Sequence, residues 1–154
     1  DNKLTWRPML FDLDWGLKGS NPRAIAWEFF SPEGITNMDE MGNVTSYIDT
    51  GLFYALYKNT GWRDKFVKRY AEVMNTTLST ERLLSIYDEM VEAIRDEMPR
   101  QIKRWGSPSS LSSWENEVKK LRKCLKERRT YVIQDLKKKF GLSDARVAEL
   151  WPNG

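Results

Sequence analysis

The run Phe11-Asp12-Leu13-Asp14-Trp15-Gly16 places two carboxylates two residues apart at the end of an apolar stretch. Strand side chains alternate, so Asp12 and Asp14 would leave one face of a strand together and converge near a loop mouth. Hard oxygen ligands of this kind suit Mg²⁺, which takes a few carboxylate oxygens and completes its shell with water and phosphate. Asp-x-Asp at a strand end also serves turn formation and surface solvation, so the pair alone leaves both readings open.

Other chemistries are narrowed by composition. The 154 residues contain no histidine, which removes the usual general base, the commonest zinc ligand and any Ser-His or Cys-His nucleophile pair. The single cysteine, Cys124, excludes an internal disulfide and a CxxC metal pair, and it reads as a spectator. The net charge is only +3, but residues 118–140 hold ten Lys or Arg against Glu127 and Asp135. No apolar run is long enough to span a membrane. The sequence opens Asp1-Asn2-Lys3 without a basic-then-apolar leader, and the expectation is a soluble piece of something longer.

Leu4 to Leu13 is expected to be extended, with Pro8 confining it to an edge or to pairing only beyond that residue. Trp15 to Asn43 lacks periodicity and is expected to be irregular, pinned to the body by Trp27, Phe29 and Phe30. Helical spacing follows. A short helix is expected from Ser46 to Asn59, ended by Gly61, and a second from Trp62 to Asn75 with Trp62, Phe66, Tyr70 and Met74 in one stripe. A third begins after the N-cap Ser79, buries Leu83, Ile86, Tyr87, Met90, Val91 and Ile94, and kinks or restarts at Pro99. The fourth and longest is read as opening with a Ser112/Glu115 capping box and stopping at Gly141. Residues 142–154 stay open between a short helix capped by Ser143 and an extended tail.

Read together, Trp6-Arg7-Pro8-Met9-Leu10-Phe11-Asp12-Leu13-Asp14-Trp15 resembles the Asp-x-Asp strand of the CotH kinase family, the spore-coat-protein-H type of atypical protein kinase. Leu56-Tyr57-Lys58-Asn59-Thr60-Gly61-Trp62-Arg63-Asp64-Lys65-Phe66 is similar to that family's Leu-Leu-Lys-Asn-Pro-x-Phe-Arg-x-x-Phe segment. The likeness continues through Leu78–Leu83, Ile102–Gly106, Leu125–Arg129 and Phe140-Gly141-Leu142. By that resemblance Asp12 corresponds to the Asp that grips the metal bridging the nucleotide phosphates, with Asp14 a second candidate; since Asp14-Trp15-Gly16 also imitates Asp-Phe-Gly, their order is open. Leu17-Lys18 stand where relatives often carry Phe-Gly.

The resemblance implies an incomplete protein-kinase-like fold: mainly α, a four-helix C-lobe-like bundle with a short N-terminal β segment. One domain is expected over 1–154, comprising a metal-binding strand and loop (1–19), an irregular linker (20–45), the bundle (46–141) and a tail (142–154). It also implies ATP with Mg²⁺ or Mn²⁺, a protein hydroxyl as acceptor, and a bacterial spore-coat or cell-surface setting. The catalytic Asp, Asn and Lys are expected upstream of the Asp-x-Asp strand, so these 154 residues alone are expected to be inactive and to bind no cofactor tightly. A lone edge strand at Thr5–Leu13 could pair with a second copy. Two rival readings remain: a non-catalytic helical scaffold, and nucleic-acid binding through the basic helix, which is the less favoured because such a charge run is usually a solvated face.

Overall fold

A computed structural model describes residues 21–23 and 30–152. The order is β1 (Ile35–Met38), β2 (Val44–Ile48), α1 (Gly51–Lys58), α2 (Thr60–Asn75), α3 (Thr80–Arg95), α4 (Met98–Trp105), α5 (Leu111–Phe140) and α6 (Asp144–Leu150). The chain is mainly helical, with one short antiparallel sheet toward its N-terminal side. The strand expected at Leu4–Leu13 lies outside the described residues.

The hairpin corrects two expectations, an irregular course to Asn43 and a helix from Ser46. Ile35 faces Ile48 and Thr36 faces Tyr47, with an irregularity at Asn37/Met38. The turn is organised by Asp39, whose Oδ1 accepts from the N–H groups of Met41 and Asn43 at 2.9 Å. Gly42 closes it at φ 82°, in the left-handed region that glycine enters without penalty. Helix α1 therefore starts five residues later than expected, at Gly51.

The next boundary also moves. Helix α1 ends at Lys58, and Asn59 caps α2 by accepting from the Trp62 N–H at 2.9 Å. Gly61 sits in the first turn of α2 rather than ending α1. The Trp62/Phe66/Tyr70/Met74 stripe holds, with buried Val67 and Ala71 beside it.

Ser79 caps α3 as expected. Of its anticipated inner face only Val91 is buried, whereas Ile86, Met90 and Ile94 are exposed. The chain breaks after Arg95 and restarts as α4 with Pro99 in its first turn, where the missing N–H costs no helical hydrogen bond. Helix α5 is capped by Ser110 through the Ser113 N–H, not by Ser112. It runs thirty residues to Gly141 at φ 65°. Ser143 then caps α6, which settles the open choice for that stretch.

One core joins these parts: Phe30, Val67, Ala71, Met74, Val132, Ile133, Leu136, Phe140 and Trp151. Leu136 is completely excluded from solvent, and Phe30 contacts the rings of Tyr57, Trp62, Phe66 and Phe140. Phe30 thus anchors the linker as anticipated; Trp27 and Phe29 lie outside the described residues.

Candidate functional site

Asp12 and Asp14 also lie outside the described residues; the described residues that follow them in sequence begin at Asn21. Asn21 and Arg23 lie against the middle of α5. The Arg23 guanidinium sits 4.0 Å from the centre of the Tyr131 ring, and Arg128 Nη1 reaches the Asn21 carbonyl at 3.5 Å. Phe30 enters the core, and the Thr50 hydroxyl donates to the Ser31 carbonyl at 2.6 Å. The stretch after Asp12 and Asp14 is therefore fastened first to α5 and then to the start of α1.

The Leu56–Phe66 segment forms a clamp on the end of α5. The last carbonyls of a helix have no partners of their own, and three of those on α5 are supplied one. The Tyr57 hydroxyl donates to the Lys139 carbonyl at 2.7 Å, and Arg63 Nη2 donates to that of Phe140 at 2.9 Å. The N–H groups of Gly141 and Leu142 both reach Lys137 O. Trp62 and Phe66 stack at 5.0 Å between ring centres. Spacing alone marked this segment as helical, but its polar residues act as caps and anchors, and the Asn59-Thr60-Gly61 run was the available signal for a cap.

The described ionisable side chains are largely engaged with one another. Arg122 grips Asp88 through two parallel bonds of 2.8 and 2.9 Å, which holds the Asp88 carboxyl below its usual range. Asp64 is lowered first by its hydrogen bond to Lys68 and further by Arg146. Arg129 donates to the Met74 carbonyl and to Asn75 Oδ1, both at 2.7 Å. Lys120 pairs with Glu117, and Lys139 lies 5.3 Å from the centre of the Tyr57 ring. Much of the basic run on α5 is thus tied to the bundle itself.

Burial pushes the Cys124 thiol up, away from its reactive thiolate form, in keeping with the spectator reading. Among the described residues no group of three or more His, Cys, Asp or Glu side chains could hold a metal. No described helix is long and apolar enough to cross a membrane.

In comparison with known families, the chain matches the CotH kinase protein family over residues 1–132. The matched range contains the Asp12-Leu13-Asp14 run, the clamp segment and most of α5, and it stops short of Phe140-Gly141-Leu142. No curated protein and no solved structure matched. With the family's pattern covering most of its length, the chain belongs to the CotH kinase family.

Proposed function

We propose that the chain serves ATP-dependent phosphoryl transfer to a protein hydroxyl, with Asp12 as the principal ligand of Mg²⁺ or Mn²⁺ and Asp14 as its partner. The family match across the Asp-x-Asp run carries this reading. The donor chemistry agrees with it, since paired carboxylates are the oxygen ligands such an ion takes alongside nucleotide phosphates. The metal would neutralise charge on the transferring phosphoryl group. The chain's own task is to hold the two carboxylates on a fixed support, and the anchors at Arg23, Phe30 and Thr50 supply one on their C-terminal side.

Phosphoryl transfer depends on a cage of positioned charges around ATP. In the family the lysine, catalytic Asp and metal-binding Asn that complete this cage precede the Asp-x-Asp strand. These 154 residues alone are accordingly proposed to be inactive and to hold metal only weakly. A spore-coat or cell-surface setting is proposed from the family alone.

Weak metal binding is readable by NMR. Mn²⁺ added to the chain should selectively broaden the resonances of residues 11–16, including the Trp15 indole, and Asp12→Ala should abolish the effect. Broadening that is absent, or that persists in Asp12→Ala, would remove Asp12 from the role.

A second reading, a helical scaffold, draws on one observation. Ile86, Met90 and Ile94 follow each other at helical spacing on α3 and are 43, 64 and 49% exposed, the kind of apolar stripe that a partner surface covers.

A further inference from the structure

Between α2, α3 and α5 lies a cleft of about 340 Å³, within the range of small-molecule sites. Its walls are Phe66, Val73 and Met74 from α2, Leu83 from α3, and Leu125 and Val132 from α5. Arg69, Arg128 and Arg129 also line it, and among its described lining residues there is no carboxylate. Arg129 is held in place by its bonds to Met74 O and Asn75 Oδ1, so one cation is preorganised there without a carboxylate partner in those bonds. Arg69 reaches outward to pair with the exposed Glu72.

This combination selects a ligand class. An apolar wall favours a hydrocarbon body roughly in proportion to the area it hides from water. Guanidinium groups favour a carboxylate head that accepts parallel N–H bonds. A cationic head would meet repulsion, and a neutral one would forgo the charge-assisted bonds.

We infer that the α2/α3/α5 cleft binds a single-chain amphiphile with a carboxylate head, its tail against Phe66, Leu83 and Leu125 and its head toward Arg129. Burial raises the Tyr70 phenol, so the hydroxyl lining the cleft stays neutral and adds no competing negative charge. The inference does not depend on the phosphotransfer reading, because it rests on the lining of the cleft and not on metal binding at Asp12 or Asp14.

The test is calorimetric titration of the full chain with decanoate and, separately, with decyltrimethylammonium, both below their micellar concentrations. Decanoate should saturate at one per chain and bind at least about tenfold more tightly than the cationic amphiphile, a difference well within what one charge-assisted pair supplies. Val73→Trp, which fills the cleft, should remove decanoate binding while helical circular dichroism is retained. If that variant does not fold, Leu83→Trp replaces it. No saturable decanoate binding, equal affinity for the two amphiphiles, or undiminished binding in a folded, filled variant would overturn the inference.

Discussion

Single residues carry the sharpest physical constraints. Gly34 sits at φ 74°, and a Cβ placed there would meet the Tyr47 ring within 2.5–2.7 Å. The exposed ring can swing aside, but the backbone conformation cannot be relieved in the same way. Gly34→Ala should therefore weaken the hairpin by about 1–2 kcal/mol, seen as faster amide exchange in β1 and β2. Asp88 gives a pH signature. Its carboxyl is held low by Arg122, so its stabilisation is present above the unfolded value of about 3.9 and is lost as pH falls through the lower folded value. Between about pH 6 and about pH 2, the melting temperature of Arg122→Gln should fall less steeply than that of the unaltered chain. Equal slopes would show that the pair contributes nothing to the acid dependence.

Elements show why some of the fold was legible in the sequence and some was not. Helices α2 and α5 were plain because long apolar stripes at 3.6-residue spacing have few alternative explanations, and Gly141 at φ 65° marks the end of α5 by conformational necessity. The hairpin was missed because β2 is exposed along its whole length, so no alternation of apolar and polar residues betrays it. Its signal lay in the turn, Asp39 to Asn43, where side-chain bonding replaces periodicity. Caps slipped by one or two residues, as at Ser110 against Ser112, because a run of four serines and a leucine from 109 to 113 offers several equivalent starts. The clamp was legible only as a family-like segment. Tyr57→Phe should cost about 0.5–1.5 kcal/mol by leaving the Lys139 carbonyl without its donor, measured by chemical denaturation. An unchanged midpoint would mean that water replaces the phenol.

At the scale of the whole molecule, one core ties α2, α5 and α6 to the linker that follows the Asp-x-Asp run. Leu136, fully buried among Val67, Ala71, Val132 and Phe140, is its centre. Leu136→Ala should destabilise the chain by about 2–5 kcal/mol, with loss of the cooperative thermal transition if the lower end of total stability applies. The candidate metal site was legible only through Asp12 and Asp14 and their family context, because two carboxylates at a strand end have too many ordinary uses to identify a centre unaided. The long helices that follow it in sequence were legible from hydrophobic spacing. The account stands on Asp12 holding a metal for phosphoryl transfer. Its most direct measurement is transfer of the ATP γ-phosphate to a protein acceptor by the protein in its longest native form, alongside Asp12→Ala at matched folding. The account predicts Mg²⁺- or Mn²⁺-dependent labelling that Asp12→Ala reduces by at least about a hundredfold, and labelling that survives the substitution would contradict it.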